Sequence, residues 1–189
     1  MPVSGVVHGD DFVKLTWFGG TALRAYVGGR IVVIDPEAAP DTVVRQELVA
    51  GADRVLALAG NDARPIDPDR WRPDVARPLG PEPELEVLTI GPSTLVISAP
   101  GEPPLLLADV TELPRLGRWV DGAVFVLFGE RGARLAEAII ALDVARPKVL
   151  ALAATDQLVD QLFDKLVRQH ALENLPNLSS LEPGLALEV

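Results

Sequence analysis

Side chains able to do chemistry are unevenly supplied in this 189-residue chain. It has two histidines, His8 and His170, and no cysteine. A catalytic zinc ion takes about three protein ligands, drawn from His, Cys and carboxylate, so a metal centre built on imidazole or thiolate is excluded. His8 lies in a polar stretch and is expected to be solvated. His170 falls at the end of a predicted helix, where a positive charge is favourable. Disulfides and thiolate nucleophiles are excluded with the cysteines. Carboxylates, by contrast, are plentiful, with 27 acidic residues against 17 basic ones. A pair of them could act as general acid and base, and a set could hold Mg²⁺ or Ca²⁺ through oxygen. The plainer reading is that they are solvated loop acids. There is no G-x-S-x-G elbow to activate a serine; Ser93 and Ser98 belong to a predicted hairpin. Gly129-Glu130-Arg131-Gly132 precedes a predicted helix, whose first N–H groups could cradle an anion with help from Arg131 and Arg134. The segment lacks the lysine and hydroxyl of a P-loop, and a tight strand-to-helix turn is expected. Trp17, Trp71 and Trp119 are expected to anchor core or loops.

These residues must be positioned by elements that alternate in type along the chain. Val13–Phe18, Thr21–Val27 and Arg30–Ile34 read as strands, the last two joined by Gly28-Gly29 as a hairpin. Asp35-Pro36 ends the third, and Asp41 is a plausible N-cap for a short helix running to Ala50. Arg54–Leu58 is an almost unbroken apolar run, expected to be a strand buried on both faces. Residues 61–84 are rich in Pro, Asp and Arg and read as a loop, with room for edge strands at Val75 and Leu79. Glu86–Ile90, Thr94–Ser98 and Pro104–Ala108 then form a meander. Ala123–Phe128 and Lys148–Ala153 read as buried strands. They alternate with helices at Arg131–Leu142, striped by Leu135, Ala138, Ile139 and Leu142, and at Gln157–Gln169, striped by Leu158, Leu162, Phe163 and Leu166. Leu185–Leu187 could close the fold as a last strand.

Composition narrows the partners. Hydrophobic residues make up 48% and the formal net charge is −10. Such a chain lacks the basic face that nucleic acid or an anionic membrane surface requires. No apolar run approaches the ~20 residues of a membrane span. The start, MPVSGVVHGDDF, has neither the basic nor the apolar region of a signal peptide. The expected compartment is the cytoplasm.

Several segments, in order, resemble the metallo-β-lactamase superfamily, in particular its small lactonase-like branch. KLTWFGGTALRAYVGGRIVVIDPEA resembles the opening hairpin, in which one strand ends in Leu-Gly-His and a later one in Ile-Asp-Pro. ADRVLALAGNDAR stands where the family has a buried strand followed by Thr-His-x-His-x-Asp-His. PPLLLADVT resembles the strand ending in Thr-Gly-Asp. VFVLFGERGARLAEAIIALDVARPKVLALAATD resembles the closing βαβ unit, which ends in Pro-x-His, and LEPGLALEV the terminal strand. The resemblance implies a single domain over 1–189 with an α+β fold, a four-layer αββα sandwich.

The same resemblance implies a lost metal site. Position by position, the signature histidines fall on Ala59, Asn61 and Arg64 and the signature aspartate on Ala63. The opening Gly-His becomes Gly19-Gly20, and the final histidine falls near Ala154. Only Asp109 keeps a ligand-type side chain. Asp62, Asp109 and Asp156 would share one rim, and Asp35 would hold backbone groups of its turn. Arg64 brings a fixed positive charge where a cation would sit; it is expected to turn toward Asp109 or a neighbouring acid, or else to face solvent. The vestigial cleft is therefore formed by Gly20, Ala59, Asn61, Asp62, Arg64, Asp109, Ala154 and Asp156. The reading that follows is a non-catalytic, metal-free, cofactor-free protein that binds a small ligand or a protein partner. One rival is a hydrolase with an oxygen-ligand metal site near Asp62, Asp109 and Asp156. The other is a structural subunit of a homo-oligomer.

Overall fold

The computed structural model describes residues 13–75, 84–143, 145–169 and 177–189. Both histidines and Leu79 lie outside the described residues. The opening strands are β1 (Lys14–Gly19), β2 (Ala22–Val27) and β3 (Arg30–Ile34), followed by a 3-10 turn at Pro36–Ala38, helix α1 (Arg45–Val49) and β4 (Arg54–Leu56). A two-residue strand β5 (Arg64–Pro65) leads to β6 (Glu86–Gly91), β7 (Thr94–Ser98) and β8 (Leu105–Ala108). A second 3-10 segment, Arg118–Gly122, precedes β9 (Val124–Phe128), α2 (Gly129–Leu142), β10 (Val149–Ala153), α3 (Asp156–Arg168), β11 (Leu178–Ser180) and β12 (Ala186–Glu188).

The strands form two sheets, ordered β12-β1-β2-β3-β4 and β11-β10-β9-β8-β7-β6-β5. Their facing sides share one apolar core, which includes Leu15, Leu23 and Ile34 from the first sheet and Ile97, Leu105, Val126 and Ala151 from the second. Alternation explains this in β1, where Leu15 and Trp17 are buried and Lys14 and Thr16 are not. Strands β7, β8 and β9 are buried along their whole length, because α2 and α3 cover the far side of their sheet through Ala136, Ile139, Leu162 and Leu166. The far side of the first sheet has a thinner cover. Leu48 of α1 and Ala39 pack there on Ala22 and Val33. The order helix, sheet, sheet, helix is that of an αββα sandwich with one short outer layer.

Five expectations are corrected. Arg54–Leu58 is not a strand buried on both faces: β4 is the edge of its sheet, Val55 is 51% exposed, Leu56 is only partly buried against the core, and Leu58, just past the strand, is fully buried in it. Asp41 does not cap α1, which starts at Arg45 behind Val44; its carboxylate meets the Arg45 guanidinium at 3.6 Å instead. The strand in the Pro-rich segment is at Arg64–Pro65 and not at Val75, which is exposed. A proline there is tolerated because an edge strand needs no N–H on its open side. On α2 and α3 the apolar stripes are wider than the buried contact, so Leu142 is 71% exposed and Phe163 is partly exposed. The last strand, finally, is Ala186–Glu188, one residue on from Leu185–Leu187.

The tryptophans anchor, as expected. Trp17 Nε1 donates to the Gly20 carbonyl at 3.0 Å and Trp119 Nε1 to the Pro68 carbonyl at 2.7 Å. Trp71 meets Trp119 edge to face, with centroids 5.0 Å apart. Among the described residues, no helix is long and apolar enough to cross a membrane.

Candidate functional site

Strands β8, β9 and β10 are mutually parallel, so their carboxyl ends share one edge of the second sheet. In open parallel sheets this is the edge at which ligands bind. It presents Asp109 after β8, Gly129-Glu130-Arg131 after β9, and Ala154-Thr155-Asp156 after β10. The Asp109 N–H donates to the Ser93 carbonyl at 3.0 Å, which ties the end of β8 to the β6–β7 turn. At the first sheet, β3 and β4 are also parallel, and their carboxyl ends carry Asp35 and the loop 57–63. A cleft of about 400 Å³ joins the two sheets here, between Leu58, Gly60 and Asn61 on one side and Thr89 to Ser93 on the other.

Asp35 organises the first half of this rim. Its backbone is left-handed, at φ 41°, a conformation Asp tolerates better than most residues. One carboxylate oxygen accepts the Thr21 hydroxyl at 2.7 Å and the other the Leu58 N–H at 3.0 Å. Asn61 does similar work one turn on. Its amide donates to the Ala57 and Leu58 carbonyls, and its oxygen accepts the Ala63 N–H. The side chain at the position where the resemblance places a signature histidine is therefore spent on holding its own loop.

The remaining positions are disposed as follows. Gly20 lies between β1 and β2 with φ +54°, and a Cβ there would sit 2.8 Å from the Ala38 carbonyl oxygen. Ala59 and Asp62 are exposed in the loop. Arg64 is exposed and pairs with Glu86 across β5–β6 at 3.1 Å, so the acid it meets is not Asp109. Ala154 is buried directly after β10, and Asp156 is the exposed first residue of α3.

Asp109 has a different cationic partner. The Arg131 guanidinium, from the first turn of α2, reaches its Oδ2 at 2.8 Å. Asp109 is the better buried of the two, with its side chain 19% exposed against 61% for Arg131. Local sequence marks Arg131 only as an aid to an anion cradle. The signal that pairs it with Asp109 is topological: β8 and β9 are parallel neighbours, so the turn after one faces the turn after the other.

The donor set does not fit the zinc site of the fold this chain resembles. Asn61 and Arg64 are engaged elsewhere, Ala59 and Ala154 carry no donor, and Asp109 is held by a guanidinium. Among the described residues no three His, Cys, Asp or Glu side chains are grouped so that they could hold an ion.

Two sheets, parallel strands ending at a common rim, and outer helices define the metallo-β-lactamase fold, and comparison with solved structures agrees. Igni18, a metallo hydrolase from the archaeon Ignicoccus hospitalis, superposes with a TM-score of 0.60 over 94% of this chain and 98% of its own, at 16% identity. A Thermotoga maritima protein described as a putative Zn-dependent hydrolase of the metallo-β-lactamase superfamily covers 81% of this chain and 85% of its own, with 16% identity and a TM-score of 0.41. A mutant of CmlA β-hydroxylase covers all of this chain over 55% of its own length, with 13% identity and a TM-score of 0.47. At 16% identity the likeness to Igni18 is one of fold. No family model matches the sequence, and no curated protein matches it.

Proposed function

We propose that this chain uses a metallo-β-lactamase fold for binding, not for metal-dependent hydrolysis. The observation that carries the reading is the contact between Arg131 and Asp109. A largely buried carboxylate at strand ends needs a counter-charge, and here a planar guanidinium supplies it. Unlike a zinc ion, a guanidinium cannot lower the pKa of a bound water and deliver hydroxide. The neighbouring positions support the same reading, because Asn61 is committed to backbone groups and Asp35 to the Thr21 hydroxyl and the Leu58 N–H.

Elemental analysis of tag-free protein, combined with assays of lactone, phosphodiester and β-lactam hydrolysis, tests this. The expected result is substoichiometric zinc, manganese and iron and no turnover above background. One equivalent of metal, or turnover abolished by Asp109→Ala, would overturn the reading and favour an oxygen-ligand hydrolase.

A further inference from the structure

Parallel neighbours in a sheet need a crossover connection, and most crossovers carry an α-helix. The β9–β10 connection carries α2 and the β10–β11 connection carries α3. The β8–β9 connection, residues 109–123, contains only the 3-10 segment Arg118–Gly122. Its first part, Thr111 to Leu116, runs as an irregular strap beside α2.

A strap is narrower than a helix, and a groove of about 740 Å³ remains between it and α2. That volume lies within the range of small-molecule sites, roughly 300–1,000 Å³. The floor is Phe125, Leu135 and Ile139, all buried; the walls are Leu113 and Leu116 on the strap and Leu142 on the helix. All four residues of the apolar stripe of α2, Leu135, Ala138, Ile139 and Leu142, line this groove. The stripe thus extends past what the described residues cover, since Ala138 is half-buried and Leu142 is exposed.

The rim carries two charges of opposite sign. Arg115 already has the Asp69 carboxylate at 3.6 Å. Glu112 is exposed and makes no ion pair among the described residues. The chain as a whole has a net charge of −10, which raises the local concentration of cations.

We infer that this groove is a binding site for a small cationic amphiphile, with its apolar body on Phe125 and Ile139 and its ammonium group beside Glu112. The site lies on the helix-covered side of the second sheet. It does not depend on whether the strand-end rim holds a metal.

Octylamine, octanol and octanoate are suitable probes, titrated below micelle formation and followed by calorimetry and amide NMR. Octylamine is expected to saturate and to shift the amides of 111–116 and of the last turn of α2. It should bind more tightly than octanol, and octanoate should bind least. Glu112→Gln should weaken octylamine about fivefold or less, as suits an exposed charge pair, and leave octanol unchanged. Ala138→Phe fills the groove and should abolish binding of all three probes. Leu142→Gln, at an exposed position where folding is not at risk, should weaken all three. The inference fails if no probe saturates, if octanoate binds as tightly as octylamine, or if octylamine binding is indifferent to both groove variants. That last result would mean diffuse adsorption to an acidic surface.

Discussion

Arg131 reaches back from the first turn of α2 to Asp109, placing a guanidinium nitrogen 2.8 Å from a carboxylate oxygen across the ends of adjacent parallel strands. Because Arg131 is 61% exposed, solvent screens much of the attraction and the coupling is small, about 1 kcal/mol or less. Arg131→Ala, Asp109→Asn and the double variant should give a urea-denaturation cycle of that size. Zinc should not raise the melting temperature of Arg131→Ala, since freeing one carboxylate does not create a three-ligand site. A zinc-dependent rise in Arg131→Ala would show that the guanidinium masks a competent site.

Asp35 should matter far more to stability than its half-exposed position suggests. It bridges the turn before β2 and the loop after β4 through Thr21 and Leu58. Loss of both bonds in Asp35→Ala should cost about 1–3 kcal/mol, with a further penalty for alanine at φ 41°. Asp35→Asn, which keeps an acceptor and tolerates the left-handed backbone, should be the milder change. Equal destabilisation by the two variants would show that the side-chain bonds are not what holds this corner.

Much of this architecture was legible in the residues, and the misses share a cause. Strand alternation and the Gly-Gly turn located β1 to β3, and apolar runs located β7 to β10, because those patterns follow from which faces are buried. The run after Arg54 misled because an edge strand can be apolar without being covered, as Val55 is. The resemblance supplied candidate rim residues, from Gly20 to Asp156, but not their contacts. Which cation meets Asp109 depends on β8 and β9, separated by a long connection in sequence, becoming neighbours, and no local pattern encodes that. Nor does periodicity reveal that the stripe of α2 borders a groove, since a helical face is written the same way whether protein or ligand covers it.

Asp53 gives the fold a pH-dependent contact. Its carboxylate accepts the Ile31 N–H at 2.7 Å and the Arg30 guanidinium at 3.2 Å. The Ile31 bond first, and Arg30 second, hold its pKa below the ordinary 3.8. A carboxyl with a depressed folded-state pKa stabilises fully above its unfolded-state value, and that contribution is lost as pH falls through the folded-state value. Asp53→Asn should therefore be less stable than the parent near neutrality, and the gap should close as the pH falls below about 4. A gap that persists at lower pH would mean the loss comes from geometry and not from charge.

Gly20 should resist substitution by histidine. Gly20 has φ +54°, and a Cβ there would meet the Ala38 carbonyl oxygen at 2.8 Å. Its own carbonyl is also the acceptor for Trp17, so the turn cannot shift without disturbing a buried indole. Gly20→His therefore carries two costs, the left-handed backbone and the displacement of the turn at Pro36–Ala38. Gly29→Ala separates them. Gly29 has φ +75°, and a Cβ added there would have open space, with nothing within 4 Å, so this variant should lose only the backbone term, about 1–2 kcal/mol. Gly20→His should lose clearly more, whereas Ala59→His in the exposed loop should stay within about 0.5 kcal/mol of the parent. Thermal denaturation of the three variants gives the order directly. If Gly20→His is no worse than Gly29→Ala, the turn yields easily, and the first sheet still has room for the imidazole that the resemblance places there.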